Sequence, residues 1–173
     1  MNKRYYYRFD RRSRLITSVI ITVAVLLALL VGYYSRGGYL LAWFMSLVAG
    51  VGALYVLSIP RYILIGREAV EIHCVLELTT IPYENLVAVR KLSRKDMKYC
   101  FPLLGSYGFF GYYGYFYNLL YWDTVKVYAG SWDNFVELED IYEQKYVVSC
   151  ADPDAFIADV RLADADLLKE RRL

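Results

Sequence analysis

The chain holds a single histidine, His73, and it stands beside a cysteine, Cys74. A Cys–His pair is the smallest set that could carry nucleophilic catalysis, with the imidazole drawing the proton from the thiol. Around it, Val70, Ile72, Cys74, Leu76 and Leu78 alternate with Glu71, His73, Val75 and Glu77, the pattern of a half-buried strand. Successive side chains on a strand point to opposite faces, so this pair does not meet, and His73 reads as an exposed strand residue. Cys74, Cys100 and Cys150 are odd in number, and no CxxC occurs. They read as reduced cytosolic thiols or small core residues, neither a disulfide frame nor a zinc site. Glu137, Glu139 and Asp140 could pair as acid and base, but a solvated strand face opposite Val136 and Leu138 explains them better. The sequence therefore predicts no enzyme, no cofactor and no metal.

Two stretches are distinctive without being catalytic. From Gly105 to Tyr117, glycine recurs at every third residue up to Gly114, with Tyr107, Phe109, Phe110, Tyr112, Tyr113, Tyr115, Phe116 and Tyr117 between. No Lys-Ser/Thr follows the glycines, so this is not a phosphate loop, and without proline it is not collagen-like. The rings on a freely turning backbone could dock a protein partner, dip into lipid headgroups, or pack back on their own domain. The second stretch holds Arg90, Lys91, Arg94, Lys95 and Lys98 in an otherwise acidic region. These cations could touch anionic lipid headgroups, worth roughly 1 kcal/mol each near the surface, or form a solvated loop.

The elements that must position these stretches begin with two apolar segments, Leu15–Tyr34 and Leu40–Ile59, both without charge. Each is long enough to cross the hydrocarbon as a helix, and the short link 35–39 makes them an antiparallel hairpin over residues 15–59. The first run is too long for a cleaved signal, no A-x-A site follows it, and a second span comes at once. Residues 1–14 form a basic head with Lys3, Arg4, Arg8, Arg11, Arg12 and Arg14 against one acid, Asp10. Its Tyr5-Tyr6-Tyr7 is expected at the lipid interface. Arg61 and Arg67 follow the second span, while the link holds only Arg36. The positive-inside rule then places both termini in the cytoplasm, as a multi-pass membrane protein. Ala24, Ala28 and Gly32 on one helix and Ala42, Ser46 and Gly50 on the other recur every four positions, and a turn centred on Gly37 would set them face to face as a close-packed seam.

Residues 61–173 carry a net charge of −4, which excludes a nucleic-acid partner on charge grounds. Alternating runs predict strands at 61–65, 69–78, 86–92, 125–129, 135–139 and 145–149. At Asp152-Pro153-Asp154 the period changes to that of a helix, with Asp152 as N-cap and Phe156, Val160, Ala163 and Leu167 on one face. Lys169, Arg171 and Arg172 would complement its C-terminal end. The fold class is α+β: a transmembrane hairpin, then an antiparallel β-barrel or sandwich capped by a C-terminal helix.

This order resembles the bacterial pleckstrin-homology-like domains that follow two membrane helices. The residues that carry it are Tyr62-Ile63-Leu64-Ile65, Val70-Glu71-Ile72, Ile81-Pro82-Tyr83-Glu84-Asn85-Leu86, Val147-Val148-Ser149 and Asp152-Pro153-Asp154-Ala155-Phe156. The glycine–aromatic run before Val127-Tyr128-Ala129 resembles one bacterial subgroup. The resemblance implies a two-sheet barrel of seven strands capped by a helix, and a binding module with no catalytic residue. The expected role is a membrane-anchored binding or scaffold protein of the bacterial cytoplasmic (inner) membrane that presents this domain to a protein partner or to the anionic leaflet. The alternative is a homo-oligomer whose hairpins form a channel or a transport-accessory subunit, although neither span carries an ionisable group such as pores usually hold in their interior.

Overall fold

A computed structural model describes residues 3–35 and 38–170 of the chain. The link residues Arg36 and Gly37, on which the predicted turn was centred, and Arg171 and Arg172 at the C-terminal end lie outside the described residues. Two helices, α1 (Arg11–Ser35) and α2 (Tyr39–Leu57), are long and apolar enough to cross a membrane. Their apolar side chains are exposed almost all round.

Among the described residues ten strands form two sheets. The first has the order β1 (Lys3–Tyr6), β2 (Pro60–Ile65), β3 (Ala69–Cys74) and β4 (Leu78–Pro82). The second has the order β5 (Leu86–Leu92), β9 (Phe135–Asp140), β10 (Lys145–Ser149), β8 (Asp123–Ala129), β7 (Gly111–Asn118) and β6 (Cys100–Gly108). All neighbours are antiparallel except β8 and β10. The helix α3 (Pro153–Glu170) closes the space between the sheets. The amide of Ala155 donates to Asp152 Oδ1 at 3.1 Å, the expected cap, and Phe156, Val160 and Ala163 enter the core with Ile63, Ile72, Val136 and Val148.

Three features depart from the sequence reading. The expected strand 69–78 is two, because Val75–Glu77 turns the chain and Cys74 donates its amide to the Glu77 carbonyl. The glycine–aromatic stretch is itself paired as β6 and β7, so the domain has more strands than the seven implied. Part of the basic head is a strand of the first sheet. Residues 3–6 pair antiparallel with residues 62–65, and Tyr5 and Tyr7 turn inward while Arg4, Tyr6 and Arg8 face out. Tyr5 packs edge-on against Phe156 at 5.1 Å, its hydroxyl donates to Asp159, and Lys3 pairs with the same carboxylate at 2.5 Å. The strand before α1 and the strand after α2 are thus neighbours in one sheet, so both ends of the hairpin lie on one side of it.

Candidate functional site

The glycine–aromatic stretch lies where the sheet meets the helices. Gly105 pairs with Gly114 and Gly108 with Gly111 across the β6–β7 hairpin. A Cβ at Gly105 would stand 2.1 Å from the Tyr113 carbonyl oxygen, and one at Gly114 would stand 2.2 Å from that of Leu104, so only glycine lets the two strands close here. Gly108, at φ 102°, brings its backbone against Ile16 of α1, where an added Cβ would stand 2.6 Å from Cδ1.

That approach makes a hydrogen-bonded clamp. The Gly108 carbonyl accepts from Ser13 Oγ at 3.0 Å and Thr17 Oγ1 at 3.3 Å, and the Phe110 amide donates to Thr17 Oγ1 at 2.9 Å. Ser13 and Thr17 are the buried residues of α1. On the other helix, Tyr113 donates its hydroxyl to the Tyr55 carbonyl at 2.9 Å, and the rings of Tyr55 and Phe109 meet edge-on at 5.7 Å. Asp10 completes the junction. Its Oδ1 accepts the Ser13 amide at 2.6 Å and caps α1, while Oδ2 accepts the Trp132 amide at 3.3 Å and the Tyr112 hydroxyl at 3.4 Å. Sequence reasoning counted Asp10 only as an acid among cations. The signal that could have found it is an Asp immediately before a helix start.

The predicted contact residues divide accordingly. Tyr112, Tyr113 and Phe116 are buried, so the expectation that they meet a partner is corrected: Tyr112 and Phe116 ring Trp132 at 4.8 and 5.9 Å, and Tyr113 is bound to α2. Phe109 and Phe110 are half-buried against the helices. Tyr107 and Tyr115 stay exposed, with the Arg12 guanidinium 5.7 Å above the Tyr107 ring and Lys126 5.5 Å from that of Tyr115.

The basic stretch also divides. Arg90 and Lys91 belong to β5. Arg90 donates from Nε at 2.7 Å to Oε1 of the buried Glu137, and Lys91 pairs with Asp154 at 2.6 Å. Arg94, Lys95 and Lys98 sit in the exposed turn that follows, with no ion pair among the described residues, and Lys98 stands 5.3 Å from the Tyr99 ring. His73 is half-buried, stacked on Tyr62 at 4.5 Å and bonded to Glu71 at 2.7 Å.

The seam lies elsewhere on α2 than expected. Ala24, Ala28 and Gly32 of α1 do turn toward α2, but Ala42, Ser46 and Gly50 are exposed, and nothing approaches within 4 Å of a Cβ at Gly50. The row facing α1 is Leu41, Phe44, Val48, Gly52 and Tyr55. Tyr55 is held by β6 and β7, and that contact sets the rotation of α2. Between the helices a cleft of ≈ 680 Å³ remains, lined by Ala24, Ala28, Phe44, Val48, Gly52 and Tyr107 among others.

A smaller cavity of ≈ 430 Å³ opens beside the end of α2, between Leu54, Tyr55, Leu104 and Tyr115. At its wall Lys126 meets Glu77 at 2.5 Å; burial opposes the lysine's charge, but Glu77 and Tyr128 outweigh it and raise its pKa. Among the described residues no group of three metal-ligating side chains comes together. A family model described as bacterial PH domain matches residues 60–163. No curated protein and no solved structure matches the chain.

Proposed function

The chain belongs to the bacterial PH domain family, and on that premise we propose that it is a membrane-anchored, non-catalytic binding module. PH-like domains are in general binding modules rather than enzymes. The observation that carries the reading is the clamp: Ser13, Thr17 and Tyr55 hold the glycine–aromatic hairpin, so the β domain is seated on the helix ends and not tethered by a linker. Arg8 before α1 and Arg11, Arg12 and Arg14 in its first turn, with Arg61 and Arg67 after α2, are exposed on that same end, which argues for the cytoplasmic face of a bacterial cell membrane. In this reading the hairpin fixes the domain against the leaflet, and the exposed cations Arg94, Lys95 and Lys98 select anionic headgroups. Nothing in the apolar cleft between the helices favours a conducting pore.

The test uses the whole chain, because β1 is part of the sheet and residues 61–173 alone would lack it. Reconstituted protein is probed with spin-labelled phosphatidylglycerol and phosphatidylcholine, and the motionally restricted fraction of each is compared. Preference for the anionic lipid, reduced in an Arg94→Glu, Lys95→Glu, Lys98→Glu variant, is the expected result. Equal restriction of both lipids would remove the leaflet as the ligand and leave a protein partner.

A further inference from the structure

The six-stranded sheet ends on β6, whose outer edge has no neighbouring strand among the described residues. The position of that edge follows from its contacts. Gly108 is bonded to Ser13 and Thr17, at the start of the apolar run of α1. Gly105 accepts from the Tyr55 hydroxyl at 3.5 Å, and Leu104 lines a cavity with Leu54, one turn before the end of the apolar run of α2. Three strand steps from Gly105 to Gly108 cover about 10 Å, the separation of two packed helix axes. On the membrane-anchored reading, the strand therefore passes from one helix to the other near the headgroup–acyl boundary.

Beyond Gly105 the strand continues away from both helices for about another 13 Å as far as Phe101, and along this part its side chains are apolar and bare. Leu104 is 72% and Leu103 63% exposed, with Phe101 at 53%. A bulge between Pro102 and Leu104 lets consecutive residues turn outward together. The adjoining β7–β8 loop adds Tyr121 at 65% and Trp122 at 78%. It is tied to the basic turn by the Leu119 amide donating to the Tyr99 carbonyl at 3.1 Å. A bare edge of leucine and aromatics would be an aggregation hazard in water. Here it continues the lipid-facing surface of α2 and is flanked by Arg94, Lys95 and Lys98, the composition of an interfacial element.

We infer that the edge of β6 with the β7–β8 loop is a third membrane contact, a rim whose Phe101, Leu103, Leu104, Leu120, Tyr121 and Trp122 enter the headgroup–acyl boundary of the leaflet that the helices cross. The inference rests on the membrane-anchored reading above. The occupant is the bilayer: the rim lies level with the ends of both apolar spans, and a soluble partner would have to displace lipid to reach it.

Site-directed spin labelling of the full chain in nanodiscs of mixed anionic and neutral lipid tests this. The native thiols Cys74, Cys100 and Cys150 are buried, so a label goes to an introduced cysteine. Labels are placed singly by Leu104→Cys and Leu120→Cys on the rim, by Leu26→Cys in mid-span, and by Val87→Cys on β5, the far edge of the same sheet. All four positions are exposed, so the substitutions leave the core intact. The rim labels are expected to collide with oxygen more than with a water-soluble nickel chelate, as the Leu26 label does, while the Val87 label shows the reverse. Rim labels as open to nickel as Val87, beside a lipid-exposed Leu26 label, would overturn the rim and leave the anchor standing. Rim labels shielded from both reagents would overturn it in favour of a protein contact. A water-exposed Leu26 label would overturn the anchor and the rim together.

Discussion

Arg90 shows how a side chain's environment, and not its charge, decides what it does. It sits among five cations in sequence, yet its guanidinium is committed to Glu137, whose side chain is only 6% exposed. Arg90→Glu would set two carboxylates together at the sheet and should cost roughly 2 kcal/mol, less than a fully buried pair because the arginine is half in water. Lys95→Glu should fall within about 0.5 kcal/mol of wild type. Denaturant melts of both variants check this, and equal stability would mean that the Arg90–Glu137 pair does no structural work. The cysteines were legible as core residues from their scatter and odd number. Burial raises Cys74 and Cys150 to about 12 and Cys100 to about 11, helped by Glu77, Asp152 and Glu137 respectively. The fold thus holds the neutral thiols. That contribution is complete below pH 9 and is lost as pH rises from there toward 11–12. A thiol reagent at pH 8 should react slowly with native protein and with all three cysteines once it is denatured; fast native labelling would contradict the burial.

At the scale of elements, the strand at 69–74 was legible because Glu71 and His73 alternate with the buried Val70, Ile72 and Cys74, and the bounds of the strands at 86–92 and 145–149 match those expected. The β6–β7 hairpin was not, for the opposite reason. Tyr112 packs on Trp132 from one face while Tyr113 reaches α2 from the other, so aromatics occupy both faces and no alternation survives. β1 was hidden by its four-residue length and by cations that read as a topology signal. The α2 side of the seam was missed because small-residue spacing gives a stripe but not its direction, which the contact of Tyr55 with the sheet supplies. Two substitutions follow. Gly108→Ala meets Ile16 and a positive φ, so it should open the clamp and speed amide exchange at Phe110. Gly50→Leu faces open space and should leave melting in detergent unchanged. Faster exchange at Phe110 in Gly50→Leu, or none in Gly108→Ala, would misplace the junction.

On the scale of the whole molecule, the two N-terminal helices are held by both sheets. β1 precedes α1, β2 follows α2, and the far sheet returns through β6 and β7 to both helices. The central claim is that this makes the hairpin and the β domain one body. A pulsed dipolar distance between nitroxides at Leu30→Cys, in the far half of α1, and Val87→Cys, on the far edge of the sheet, measures it directly in the reconstituted full chain. A single narrow distribution is expected, broadening when Ser13→Ala and Thr17→Val remove the bonds to Gly108 and Phe110. A broad distribution in the unaltered protein would mean that the domain swings on its connections, and would contradict the account.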